Sequence, residues 1–342
     1  MTLALGPVPK RPAIAHTAAG AGPARIRLVD ISVCVPAIRA STLGATVASI
    51  RRQTHTAWEL IVVGQGEDRT VRQLTTEVAR LDPRVRYVHS PLRGLSRARN
   101  AGLRAAAGAV VAMTDDDCEA APDWLAIILA CLAEDPAVVL VGGALVAPPG
   151  AGRLARCPSL VPSDAVYDPA ATGRRPPPGW DFVGANLAIR RDVARRVGDF
   201  DDHLGAGSDF GAAEETDFKL RLEALGLRMR STPRAVVHHT HGCRRGLRAV
   251  LASQRAYARG NGALAAKLTL MGDERGREWL EATRRDAAAG WLRSRRPQRL
   301  PVDARRWWHF SSAYRECLRR FTLGEDGRLA PRSSPAPLTG SA

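Results

Sequence analysis

The sequence predicts an α/β fold built on a mostly parallel sheet flanked by helices, and two observations carry that prediction. From Ile31 to Val146, short β-branched runs alternate with longer helical patterns, as successive strand–helix–strand units do. The chain has 342 residues, 45% of them hydrophobic and 25% charged, so it can bury a large core without disulfide or metal staples.

The expected strands are ISVCV (31–35), ELIVV (59–63), VRYVH (85–89), AVVAM (109–113) and AVVLVGG (137–143). Each is rich in β-branched or aromatic residues and bounded by polar segments. Between them, apolar spacing predicts helices over Thr42–Gln53, Val71–Leu81, Leu95–Ala107 and Asp123–Ala133; Pro122 precedes the last and suits a first turn. Residues 148–180 are rich in Pro, Gly and Arg and read as a long connection of the kind that forms a lid, a binding loop or a disordered insert. Regular pattern resumes with helices near Asp192–Val197 and Glu214–Leu225, a strand at Ala235–Val237 and a basic helix at Arg244–Arg259. Residues 1–27 read as a flexible tail with no apolar core for a signal peptide, and the Ser/Pro-rich 331–342 are expected to fray.

Lys plus Arg number 50 against 34 Asp plus Glu, a net charge of +16, so nucleic acid, an anionic membrane surface and a phosphate-bearing substrate are all candidate partners. Zinc-finger spacing and an RNA-binding aromatic strand are both missing, and no nucleic-acid partner is expected. Six cysteines lie far apart without a CxxC pair, which predicts reduced thiols and a cytoplasmic protein. The longest uncharged apolar stretch, Ala137 to Ala147, falls short of the roughly 20 residues of a membrane helix. Residues 284–320 hold eleven Arg against three acids, with Trp307, Phe310, Tyr314, Leu318 and Phe321 recurring at helical spacing. Such a stripe either packs on the rest of the protein or lies on an anionic membrane, which would make the protein peripheral at the inner face of the cell membrane through 284–321.

Four segments carry candidate chemistry. Asp115, Asp116 and Asp117 directly follow the strand 109–113, where ligands bind in open α/β sheets. Crowded carboxylates raise one another's proton affinity unless a cation neutralises them, and Mn²⁺ or Mg²⁺ suits such oxygen donors. FVGANLAIRRDVARRVGDFDDHLG (182–205) is a small-residue turn, a strand, a basic helix and a Gly/Asp turn. Glu214, Glu215 and Asp217 open an amphipathic helix, where the helix dipole also favours acids. His238, His239 and His241 follow a strand, where a histidine is either a ligand or merely hydrogen-bonded.

In this order and spacing the segments resemble the family 2 glycosyltransferases of the GT-A fold, inverting enzymes that use nucleotide-activated sugars. The resemblance runs from ISVCVP and SIRRQTHTAWELIVV through GLSRARNAGLRAAAGAVVAMTDDD to GANLAIRR, VGDFDDHLG, EETD and VVHH, ending near Gly262. It implies a Rossmann-like catalytic domain over 28–262 and a basic, aromatic helical extension over 263–330. It implies that Asp117 is the principal carboxylate ligand of a divalent cation, Mn²⁺ or Mg²⁺, with Asp115 at the donor ribose and metal, Asp116 between them, and His239 as a further metal or diphosphate contact. Glu215 takes the position of the catalytic base, flanked by Glu214 and Asp217. Pro36, Arg97 and Arg99 stand where the family binds the nucleotide, and Gly184, Ala185 and Asn186 where the acceptor approaches. The implied substrates are a nucleoside-diphosphate sugar and the hydroxyl of a glycan, lipid-linked or small-molecule acceptor.

Two positions depart from the family pattern. Gly64-Gln65-Gly66 stands where paired aspartates are common, leaving Gln65 as the residue to read a nucleobase. The base position carries Glu, where Asp is more frequent. Two other readings share part of the pattern. A catalytically weak partner subunit of the same fold would be expected to lose the carboxylates, which are present. A sugar-phosphate nucleotidyltransferase would need a Gly-rich phosphate loop after the first strand, and PAIRASTLG offers none.

Overall fold

The computed structural model describes residues 29–67, 69–148, 155–293 and 300–332, with the backbone alone at 155, 290–293 and 300–302. The tail expected over 1–27 and all but two residues of that over 331–342 lie outside the described residues. The elements run β1 (Ile31–Ala37), α1 (Ala40–Arg51), β2 (Trp58–Gln65), α2 (Arg69–Leu81), β3 (Val85–Ser90), α3 (Leu95–Ala105), β4 (Val110–Met113), β5 (Glu119–Ala120), α4 (Trp124–Glu134) and β6 (Val138–Val146). They continue through β7 (Ala155–Arg156), β8 (Ala165–Tyr167), α5 (Pro169–Thr172), β9 (Leu187–Arg190), α6 (Arg191–Val197), α7 (Glu214–Ala224) and β10 (Arg228–His238). Last come β11 (Arg244–Arg245), α8 (Leu247–Leu270), α9 (Arg275–Arg293), α10 (Leu300–Arg320), β12 (Phe321–Leu323) and β13 (Leu329–Pro331).

The main sheet has the order β3-β2-β1-β4-β9-β6-β10-β5, with β8 paired to β10. Its first four strands are parallel, as the alternating pattern predicts. Beyond them the sheet is mixed, because β9 runs antiparallel to both β4 and β6. The chain leaves β6 at its carboxyl end, is held there by the Leu145–Leu160 pairing, runs to the other end along β10 as β8, and returns to re-enter through a tight turn in which the Asn186 N–H donates to the Val183 carbonyl. A strand entered from that end must run the opposite way. The long connection is thus tied to the sheet over its described part, where Tyr167 and Trp180 are buried with their rings edge to face.

The central strands are buried on both faces, which explains their unbroken apolar runs. Val33 and Val35 point with Leu60 and Val62 toward Leu43, Val47, Trp124 and Ile128. Cys34, Ile61 and Val63 point the other way, toward Leu103, Phe200, Phe218 and Leu222. Gly102 permits the close approach of α3 to β1, since a Cβ there would lie 2.0 Å from the Cys34 Sγ. Asn100 clamps the GDFDD turn to the same helix, its Oδ1 accepting from the Phe200 N–H and its Nδ2 donating to the Phe200 carbonyl.

α8 passes without a break through position 262, where sequence pattern places a domain boundary. The helices that follow pack on the loop before α7: Leu204, Phe210 and Ala213 share a cluster with Leu264, Leu268, Cys317 and Phe321. Phe310 and Phe321 are buried, Tyr314 and Leu318 pack beside them, and Arg305, Arg306, Arg315, Arg319 and Arg320 are exposed. Most of the stripe therefore packs against the protein, with Trp307 half-buried on Phe310, and nothing in this packing supports the membrane alternative. Among the described residues no helix is long and apolar enough to cross a membrane.

One buried charge fastens this extension to the catalytic part. The Lys267 Nζ on α8 is fully enclosed, 2.8 Å from Asp201 Oδ2 and 2.6 Å from Asp217 Oδ1 on α7. Asp201 also accepts from the Leu329 N–H at 2.8 Å, so a turn, two helices and the terminal hairpin meet at one ammonium. Removing one partner of a buried ion pair strands the other without solvation. Lys267→Met should lower stability by about 3–5 kcal/mol, read as a shifted urea midpoint.

Candidate active site

The strand order reverses between β1 and β4, since β2 and β3 lie on one side of β1 and β4 on the other. That switch point opens a crevice at the carboxyl ends of the strands. The three aspartates enter it from β4, each differently. Asp116 is buried and accepts from the backbone N–H groups of Ile38 and Arg39 at 2.8 and 3.0 Å, closing the entry to α1. Its role is to hold the loop after β1. The Arg39 Nη2 bridges Asp116 Oδ1 at 2.8 Å and Asp117 Oδ2 at 2.7 Å while its side chain stays half-exposed.

Asp117 Oδ1 lies 3.4 Å from the His239 Nε2, where β10 ends. Burial opposes ionisation of Asp117, but His239, Arg39 and Arg244 outweigh it and hold the carboxyl at about 2. The His239 Nδ1 is 2.9 Å from the Pro158 carbonyl, which makes Nδ1 a donor and turns Nε2 toward Asp117. Donor atoms of Asp117, Cys118 and His239 lie within 4.8 Å of one another. A carboxylate oxygen and an imidazole nitrogen suit Mn²⁺ or Mg²⁺, while burial pushes the Cys118 thiol well above its usual range and leaves it a poor ligand for a hard cation. Asp117 and His239 thus fit a divalent ion.

Asp115 and the later acids are joined by Arg99. This guanidinium is buried, donates from Nη1 to Glu214 Oε1 at 2.8 Å, and reaches Asp115 Oδ1 from Nη2 at 3.4 Å. Gly184 makes room for it, because a Cβ there would sit 2.6 Å from both terminal nitrogens. Arg99 is therefore engaged by acids of the chain itself, not presented to a nucleotide. Burial raises the Asp115 carboxyl, opposed by Arg99.

Glu215 begins α7 beside Glu214. The helix is preceded by Ala213 at φ 78°, a left-handed conformation that costs a non-glycine residue of order 1 kcal/mol. Burial first, then the neighbouring Glu214 carboxylate, push the Glu215 carboxyl up to about 8. Asp217, expected beside the base, turns the other way to Lys267 and Arg221. It positions α7 from behind.

The remaining expected residues divide similarly. Pro36 lies in β1, level with Val63 of β2. Gln65 is buried, and its Oε1 accepts from the Gly94 N–H at 3.0 Å, fixing the entry to α3. Arg97 stays at the surface, 3.8 Å from Asp202. Ala185 is buried, and Asn186 is fully enclosed, accepting from the Trp124 Nε1 at 2.8 Å and donating to the Ala144 and Ala235 carbonyls at 2.7 and 2.9 Å. Asn186 locks three elements beneath the crevice, and the structure gives it no surface to offer an acceptor.

Sequence pattern overlooks Arg39 and Tyr257. Arg39 lies in a loop without a motif, and Tyr257 sits on α8 far along the chain, where the carboxylates of Glu215 and Glu214 help burial raise its phenol.

Comparison with known proteins bears on the sequence family and the fold. Residues 32–198 match the family model described as Glycosyl transferase family 2. A glucosyl-dolichyl phosphate glucuronosyltransferase of Haloferax volcanii is 29% identical over 218 residues, 62% of this chain and 68% of the relative. A pre-mycofactocin glycosyltransferase of Mycobacterium tuberculosis is 30% identical over 236 residues, 67% of this chain and 46% of the relative. Among solved structures, a mannosyltransferase of Pyrobaculum calidifontis in complex with GDP-Man and Mn²⁺ superposes with a TM-score of 0.53 at 18% identity, covering 84% of this chain and 86% of its own. A TarS fragment of S. aureus does so at 0.55 and 14% identity, covering 90% and 98%. The fold is that of the GT-A glycosyltransferases, and through residues 32–198 the chain belongs to glycosyl transferase family 2.

Proposed function

We propose that this protein transfers a sugar from a nucleoside-diphosphate sugar to an acceptor hydroxyl by one displacement that inverts the anomeric carbon. The observation that carries the reading is the Arg99 bridge, which ties the acids after β4 to those opening α7 around a single crevice. The two ends of that crevice have opposite proton affinities. Asp117 stays ionised in acid, as a cation ligand must, whereas Glu215 holds its proton to about 8, as a base working near neutrality does.

Glu215 takes the proton from the acceptor hydroxyl. The oxygen forms its bond to the anomeric carbon from the face opposite the diphosphate, and the carbon–oxygen bond to the diphosphate breaks with its electron pair. Asp115 is the chain's group for the donor ribose. Asp117 and His239 would hold a divalent cation, which would supply positive charge against the charge growing on the leaving diphosphate. The complex of the Pyrobaculum enzyme with GDP-Man and Mn²⁺ supports the donor class, and the Haloferax relative, a glucosyl-dolichyl phosphate glucuronosyltransferase, supports a lipid-linked or glycan acceptor.

General-base assistance is worth about 10²–10⁴ in rate. Glu215→Gln should therefore lower kcat by about that factor while the donor Kd, measured by calorimetry, stays near its starting value. The active form of Glu215 is deprotonated, so kcat/KM should rise with pH and level off above about 8. In Glu214→Gln the neighbouring negative charge is gone and Arg99 is freed, so the midpoint of that profile should move to lower pH. Asp117→Asn should abolish the Mn²⁺-dependent part of donor binding in the same calorimetry.

A further inference from the structure

Between α8 and α10 lies a cavity of about 380 Å³ whose wall is dominated by cations. Arg255 comes from α8, Arg305 and Arg306 from α10, and Arg156 from β7, with Asp303 as the one acid in the lining. None of these four arginines has an ion-pair partner among the described residues. The contrast with their surroundings is sharp, because Arg259, one turn along α8 from Arg255, is paired with Glu316, and Arg320 with Glu316 and Asp209. Converging cations left unneutralised raise each other's energy and create a field that an anion relieves. Planar guanidinium forks match the oxygens of phosphate in particular.

A second feature senses that field. His309 lies in the same wall, and burial, then Arg255, Arg305 and Arg259, hold its imidazole below the usual range. The cavity also adjoins the loop that opens α7. Tyr257 lines it from α8, and α8 runs against that loop, since a Cβ on Gly260 would lie 2.5 Å from the Ala212 carbonyl oxygen; Arg156 lies over the Tyr257 ring at 5.4 Å. β7, which carries Arg156, pairs with β11, whose Arg244 acts on Asp117. A ligand seated among the arginines is thereby a neighbour of the base.

We propose that this cleft is the binding site for the phosphate of a phosphate-bearing acceptor, which it would hold with its hydroxyl turned past Tyr257 toward Glu215. The proposal rests on the transferase reading above and deepens it by naming the acceptor's chemical class. The phosphate belongs to either a soluble sugar phosphate or a lipid headgroup, and both present the same oxygens to the cleft.

The test uses the full chain in EDTA, with labelled histidines observed by NMR and the His309 signal assigned by its loss in His309→Gln. Inorganic phosphate is the soluble probe, and vesicles of phosphatidylcholine with or without phosphatidic acid are the lipid one. Phosphate should shift the His309 signal saturably and move its protonation midpoint upward, because the anion offsets the arginines. Arg255→Gln combined with Arg306→Gln removes two exposed side chains from the wall, and its fold is checked by circular dichroism. Losing one charge-assisted hydrogen bond costs about tenfold or more in affinity, so this variant should bind phosphate at least tenfold more weakly. Retention on phosphatidic acid vesicles alone, lost in the same variant, supports the cleft with a lipid as the source. A His309 signal that neither probe moves, or that phosphate moves equally in the variant, overturns the proposal. Release of nucleoside diphosphate from a nucleotide-sugar panel with Mn²⁺ is read separately on the unaltered protein, so failure of the transferase reading is distinguishable from failure of the phosphate site.

Discussion

A single buried guanidinium organises the crevice. Arg99 sits at 1% side-chain exposure between Glu214 and Asp115, and its Nε is enclosed without a hydrogen-bond partner. Such a charge is costly to bury, and only the acids around it make the arrangement stable. Those acids, in turn, come from segments that no local structure would bring together: Asp115 follows β4 and Glu214 opens α7. Glu215, next to Glu214 in α7, takes its place relative to this bridge. One positive charge is too little for every carboxylate near it, since Glu214 and Asp115 take the direct contacts. Glu215 is left beside a like charge in a dry setting, and its raised proton affinity follows.

The second support lies behind the crevice. Lys267 joins Asp217 to Asp201 in the interior, so the face of α7 opposite the base is fixed by α8, while Asn100 and the Ser96 hydroxyl hold the loop before α7 onto α3. The acids of α7 therefore divide by helix geometry. Glu214 and Asp217 are three residues apart and are both buried, while Glu215 lies about 100° around the axis from Glu214. The helices that follow Gly262 are thus part of the scaffold that holds α7 in place.

Two electrostatic regimes coexist over a short distance. At the His239 end, His239, Arg39 and Arg244 together outweigh burial and keep Asp117 charged. At the Glu215 end, carboxylates outnumber the guanidinium. Pairs of acids pushed apart in this way are the usual mark of divided chemical labour.

The local parts of this picture were legible in the residues alone. Unbroken β-branched runs specify strands buried on both faces, apolar periodicity specifies the helices between them, and the aspartates after 109–113 fall at the sheet's carboxyl edge by connectivity alone. Those features depend on neighbours in sequence, so the sequence determined the fold class, the family segments and the acids that mark the crevice. Tertiary structure decided which polar groups face it. Asn186, Asp116, Asp217 and Arg99 carry site-like signatures yet spend their hydrogen bonds inside the protein, while Arg39, Tyr257 and the arginines of the cleft stand at the surface without a motif. A polar residue's orientation depends on partners far along the chain, 115 positions in the case of Arg99 and Glu214, and no periodicity encodes a contact of that range.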